Sequence, residues 1–208
     1  MNRLDTTTEE FSALGRACDL TEDDRRGALL VHLARHTLSK ALDPNNAPPL
    51  GHDLSSESWL DEPGAVFITL RQSDGKLRGC IGSIEARRPL LEDLRHNAVA
   101  AAVRDPRFPP VGPAELGELR LEVSCLTKPV PIVACSEAEA LQQLVPQADG
   151  IILSHGGHRA TFLPQVWAQL PEPRDFLCQL KKKAGLPVDF WAADIRLLRY
   201  RVRKWCEI

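Results

Sequence analysis

Apolar residues along this chain recur first at helical and then at strand spacing, and the switches between the two mark its elements. Ala28, Leu29, Leu33, Leu38 and Leu42 repeat as one face of a helix does. Thr21 stands where the N-cap of that helix belongs. Glu22, Asp23 and Asp24 fill its first turn, where the helix dipole favours acids. Pro44 ends it, and 43–58, with Pro, Asn, Gly and Ser, reads as a loop. The run 65–71 is rich in β-formers. Asp74-Gly75 is a turn signal, and a partner strand returns from Lys76 to about Ile81. Pro89 opens a second helix with Leu90, Leu94, Ala98, Ala101 and Ala102 on one face. It stops at Asp105-Pro106, because a residue before proline avoids the helical region.

Further on, Leu119, Leu121, Val123 and Cys125 alternate with Arg120, Glu122 and Ser124, the period of a half-buried strand. Ser136 with Glu139 has the spacing of a capping box for a short helix through Leu144. Strands at 150–153 and 159–163 flank the Gly156-Gly157 turn. A helix spans 173–184, with Lys181, Lys182 and Lys183 in its last turn and Gly185 as the stop. One final strand runs from Ile195 to Val202. Hairpins outnumber βαβ units, so the fold class is α+β, mostly antiparallel sheet with flanking helices. Residues 1–20 have no firm period and read as a loosely held segment before a domain at 21–208.

Composition narrows the function classes. The formal net charge of −2 lacks the basic excess that backbone-directed nucleic-acid binding needs, and 5% aromatic residues leave little for base stacking. The basic residues at 181–183 and 196–204 read instead as helix-dipole partners and as guards of an edge strand. No apolar run is long enough to cross a bilayer, and the N-terminus has no signal-peptide pattern, so a cytoplasmic location is expected. Six cysteines, at 18, 80, 125, 135, 178 and 206, form no metal-type spacing and are expected as free thiols. His32 and His36 share a helix face but lack a third ligand. His155 and His158 flank a turn. Neither pair makes a metal site, and no cofactor is called for.

A set of motifs in fixed order carries more. These are Leu77-Arg78-Gly79-Cys80-Ile81-Gly82-Ser83, Asp105-Pro106-Arg107-Phe108-Pro109-Pro110, Glu122-Val123-Ser124, Asp149-Gly150-Ile151-Ile152-Leu153, 160–167 (ATFLPQVW) and Lys183-Ala184-Gly185-Leu186-Pro187. With them the chain resembles the AMMECR domain family, called system protein A where it occurs beside a Memo-like and a radical SAM protein. The resemblance implies a compact α+β domain of two lobes. It also implies Memo-like and radical SAM partners in a system that modifies an unidentified substrate.

The residues themselves suggest where chemistry would lie. On a regular strand Lys76, Arg78 and Cys80 share one face, and Leu77 and Ile81 take the other. A guanidinium beside a thiol stabilises the thiolate, so Cys80 is the nucleophile candidate and Arg78 its activator. Gly79 and Gly82 leave the backbone open to close approach by a ligand, with Ser83 beside them. The same pattern also fits a small thiol packed under a helix, its glycines serving tight packing. Were the two strands in one sheet, Glu122 and Ser124 would extend the polar face, with Glu122 as acid–base or positioning group; a structural Arg78–Glu122 pair fits as well. Arg104 and Arg107 can bind a phosphate or carboxylate, or Arg107 can hold backbone carbonyls while Phe108 enters the core. Two functional readings follow: a modifying component with Cys80 as reactive residue, or a non-catalytic adaptor or ligand-binding module that uses the Arg78–Ser83 face.

Overall fold

A computed structural model describes residues 21–207; the expectation for 1–20 falls outside them. In chain order the elements are α1 (Glu22–Leu42), β1 (Pro63–Gly64), β2 (Val66–Arg71), β3 (Leu77–Gly82), β4 (Arg88–Pro89), α2 (Leu90–Val103), β5 (Arg120–Leu126), β6 (Val130–Ile132), α3 (Glu137–Gln143), β7 (Gly150–His155), β8 (His158–Phe162), α4 (Pro173–Lys183), β9 (Arg196–Tyr200) and β10 (Val202–Cys206). They build two four-stranded antiparallel sheets, ordered β10-β5-β2-β3 and β6-β9-β7-β8, with a short β1–β4 ribbon. The class is α+β, as the hairpin pattern predicts.

The first sheet is covered on one face by α1 and α2. Thr21 and Asp24 close a reciprocal capping box at the start of α1. Leu30, Leu33, Ala34 and Leu38 then meet Leu94, Ala98 and Ala101 of α2 above Val66, Ile68 and Leu70 of β2 and Leu121 and Val123 of β5. Burying each of the larger side chains stabilises the fold by about 1.5–3 kcal/mol relative to exposure. The second sheet has its own core. Trp167 stacks on Phe176 with ring centroids 3.8 Å apart, and its indole N–H donates to the Asp149 carbonyl at 2.7 Å. Leu177 and Leu180 of α4 pack with Ile151, Leu153 and Leu197.

Four expectations are corrected here. Residues 195–202 are not one strand. The chain leaves the second sheet after Tyr200 and enters the first at Val202, so β9 and β10 belong to different sheets. β9 is central, paired on both sides by β6 and β7, so Arg196 and Arg199 do not guard an edge, whereas Arg203 and Lys204 lie on β10, an edge of the first sheet as expected. Lys181 does not serve the helix dipole in solvent: it is fully buried, bonded to Glu137 at 2.9 Å and to the Val188 carbonyl at 3.0 Å, and ties α4 to α3. Burial of the charge is tolerated because it is paired. At Ser136 only half of a capping box forms: Ser136 accepts from the Glu139 N–H, while the Glu139 carboxylate accepts from Cys135 N–H.

The sheets are joined by a third cluster, in which Ala65 and Leu126 from the first meet Ile152 and Tyr200 from the second, with Phe67 and Leu163 packed against them. The two chain crossings lie side by side. Thr127 N–H donates to the Arg201 carbonyl and Arg201 N–H to the Thr127 hydroxyl, both at 2.9 Å.

Candidate functional site

The β2–β3 hairpin carries Cys80. Its turn is the one the Asp74-Gly75 pair predicts, with Gly75 at φ +84°. The ladder is regular from Phe67↔Gly82 to Leu70↔Gly79, then shifts between Leu70 and Arg71. That irregularity breaks the simple alternation along β3. Arg78 and Cys80 therefore do not act as a pair. The Arg78 guanidinium forks onto Glu115 (3.0 and 3.2 Å) and donates to the Pro109 carbonyl at 2.9 Å, in a largely buried position. Its charge is paired with Glu115, and none of its bonds goes to Cys80. It bonds Glu115, not Glu122.

The cation near Cys80 is Arg107. The Asp105 carboxylate, itself buried, accepts from the Cys80 backbone N–H at 2.8 Å and from both Nε and Nη2 of Arg107 (2.9 and 2.7 Å). Arg107 also reaches the Cys80 carbonyl at 3.4 Å, and it lies over the half-buried Phe108 ring, which does not enter the core. The arginine at the end of the Asp105-Pro106-Arg107 loop is thus braced by the chain yet half exposed. The Arg107 bond, helped by the backbone N–H groups of Cys80 and Arg107, holds the Asp105 carboxyl well below the usual carboxylate range, against the opposing effect of desolvation.

A carboxyl depressed in the folded state stabilises the fold above its ordinary pKa, and this contribution is lost as pH falls through the folded value. Asp105→Asn is therefore expected to lower stability by about 1.5–3 kcal/mol at pH 5–7. The gap to the parent protein should narrow only below about pH 4. Urea unfolding at pH 7, 5 and 3 checks this; a gap that closes already between pH 7 and 5 contradicts it.

The row that contains Cys80 runs across the sheet on the face away from the helices. Cys80 pairs with Thr69, Thr69 with Glu122, and Glu122 with Cys206. The buried Thr69 hydroxyl donates to the Cys80 sulfur at 3.4 Å. Glu122 accepts from Lys204 at 3.2 Å and from the buried Ser124 hydroxyl at 3.4 Å. β3 and β5 do share a sheet, but β2 lies between them, so Cys80 and Glu122 are two strand spacings, about 9–10 Å, apart. Ser124 belongs to the next row, opposite Phe67 and Lys204.

The remaining candidates serve the fold. A Cβ at Gly79 would collide with the Ala101 backbone carbonyl of α2, and one at Gly82 with the Phe67 ring, so the chain's own segments make the close approach expected of a ligand. The Ser83 hydroxyl donates to Asp93 at 2.6 Å and accepts from Asn97 at 3.1 Å, so it is engaged internally rather than offered to a ligand. With Arg78, Gly79, Gly82 and Ser83 committed this way, a docking face at 78–83 loses most of its free groups.

Sequence reasoning missed Thr69, Asp105 as the brace, and the Asp93–Asn97 pair. The last had a signal: two polar residues four apart beside the apolar face of α2. Among the described residues no group of three or more metal-ligating side chains forms. His32 bonds the Leu50 carbonyl at 2.8 Å, and His155 lies 3.2 Å from Asp194.

Comparison with known proteins gives one consistent result. The AMMECR1 family model matches residues 31–205. A protein of Thermofilum pendens is 37% identical over 196 residues, covering 87% of this chain and 89% of that protein. Protein MJ0810 of Methanocaldococcus jannaschii is 38% identical over 188 residues, covering 88% and 90%. The crystal structure of the uncharacterized protein PH0010 from Pyrococcus horikoshii is similar with a TM-score of 0.66 at 32% identity, covering 88% of this chain and 92% of that one. The family model spans most of the chain and the motifs from Leu77 to Pro187 lie within it, so this chain belongs to the AMMECR1 family.

Proposed function

We propose that this AMMECR1-family protein is the thiol-bearing component of a system that modifies a substrate, with Cys80 as its reactive residue. The observation that carries the reading is the placement of Cys80: a free, partly exposed thiol that accepts the Thr69 hydroxyl, on a strand whose backbone is tied through Asp105 to the cation Arg107. Arg107 takes the role first expected of Arg78. Glu122 is too distant to take the Cys80 proton directly and serves to position a group lying across the row. The domain at 21–208 works with Memo-like and radical SAM proteins in the cytoplasm. No helix among the described residues is long and apolar enough to cross a membrane.

Alkylation with iodoacetamide, read by peptide mass spectrometry, tests the thiol. Cys125 supplies an internal standard, because burial pushes its thiol up to about 11. A shift of about two units cuts the thiolate fraction near pH 8 about a hundredfold. Cys80 is expected to react at least about tenfold faster than Cys125, and Arg107→Ala to slow it severalfold. Equal, slow labelling of both cysteines would remove Cys80 as a nucleophile. With the partners present, Cys80→Ser should abolish product; unchanged product would place the chemistry elsewhere.

A further inference from the structure

Where the two sheets meet, they enclose a pocket of about 270 Å³ in which the Cys80 row takes no part. Its floor is apolar: Ala65 and Leu126 from the first sheet, and Ile152, Leu198 and Tyr200 from the second. Tyr200 turns its hydroxyl away into bonds with Thr161 and the Phe162 carbonyl, both at 3.1 Å, so its ring, and not its polar end, is available to the pocket. Ile84, 39% exposed, adds an apolar side at the mouth.

The mouth is charged. Arg87, from the loop after β3, and Arg159, from β8, both bond the single carboxylate of Glu85, at 2.7 and 2.9 Å. Lys128, from the crossing between the sheets, pairs with Glu62 at 3.3 Å. Three cations thus face two carboxylates, leaving one positive charge. Each guanidinium has five N–H donors, and Arg159 meets Glu85 through Nη2 alone, as an ion pair. A guanidinium fork suits carboxylate and phosphate alike. Cavities with apolar walls and a few convergent polar groups, placed where two lobes meet, are the usual form of a small-molecule site, and this one falls just below the size range for drug-sized ligands.

We propose that this pocket binds a small molecule with an aryl or branched-alkyl body and one anionic head, a carboxylate or a phosphate. The body lies on Leu126, Ile152, Leu198 and Tyr200, and the head is held by Arg159 and Arg87. Because Arg87 follows β3 of the first sheet and Arg159 lies on β8 of the second, the ligand bridges the two lobes and stabilises their arrangement.

Isothermal titration of the full chain tests the proposal with three probes: 3-phenylpropionate, phenyl phosphate and the neutral 3-phenylpropanamide. At least one anion is expected to bind about tenfold or more tighter than the amide, and whichever anion is tighter identifies the head group. Arg87→Ala combined with Arg159→Ala should remove most of that preference. Ile84→Trp, made at a half-exposed position that leaves the core intact, should weaken both anions about tenfold by filling the mouth. Equal binding of all three probes overturns the proposal. So does anion binding that neither the double variant nor Ile84→Trp changes, since the probe would then sit elsewhere.

Discussion

Gly79→Ala is expected to destabilise the protein by about 3 kcal/mol, the upper end of the usual cost of overpacking. For a chain of this size that is a fall in Tm of roughly 6–12 °C. The added methyl would be driven into the Ala101 carbonyl oxygen, which is backbone and cannot swing aside as a side chain can. α2 cannot retreat cheaply, because Asn97 holds the Val66 carbonyl at 3.0 Å and Asp93 the Val66 N–H at 3.0 Å, which pins the helix to β2. The strand cannot retreat without breaking its ladder to β2 or the Asp105 bond to Cys80 N–H. Gly117→Ala is the control. A methyl there meets nothing within 4 Å, so its cost should be clearly smaller. Thermal melts of both variants decide the matter; a Gly79→Ala melt within a degree of the parent would show that α2 and β3 are not locked together. Because the collision lies next to Cys80, a folded remnant of Gly79→Ala should also show altered Cys80 alkylation.

Asp93→Ala should cost about 3–5 kcal/mol, the loss seen when one member of a buried ionic group is removed. Asp93 is only 1% exposed. Its carboxylate accepts from Val66 N–H, from the Ser83 hydroxyl at 2.6 Å and from Asn97 at 3.0 Å, and lies 3.2 Å from Arg88 Nε. Truncation strands the Val66 N–H and the Ser83 hydroxyl and takes one acceptor from Asn97 and the partner of the part-exposed Arg88, and buried donors without partners are costly. Asp93→Asn keeps the shape and one oxygen, so it should recover part of the loss. Equilibrium urea unfolding compares the two. An Asp93→Ala variant as stable as Asp93→Asn would mean that the retained shape and oxygen recover nothing, which contradicts this expectation.

Both predictions concern residues that a linear reading of 77–83 assigns to ligand binding or passes over. The reason lies in what each residue faces. Gly79, Gly82 and Ser83 suit a bare, approachable strand, and the strand is approached closely, by α2, by Phe67 and by Asp93 of the same chain. Arg78 suits a thiol activator, yet Glu115, thirty-seven residues on, claims it. Arg107 was visible as a possible anion binder, but not as the cation beside Cys80, because that proximity is made by Asp105 crossing from the end of α2 to β3.

The elements themselves were legible because their signals are local. A cap and its first turn, an Asp-Gly turn, a proline stop and an apolar stripe each act within a few residues, so α1, α2, α4 and both hairpins follow from the chain alone. The ordered motifs likewise carried the family. Pairings between distant segments could not be read that way. The split of 195–206 between two sheets depends on which edge each half reaches, and an alternating pattern is the same in either sheet. Lys181 is helix-end chemistry by position and core chemistry by contact, decided by Glu137 on another helix. So for Cys80, the sequence by itself determined that a thiol sits on a glycine-flanked strand. The tertiary structure alone decided that Thr69, Asp105 and Arg107 surround it while Arg78 turns away, since ion pairs and hydrogen bonds form across space between residues whose spacing along the chain is unconstrained.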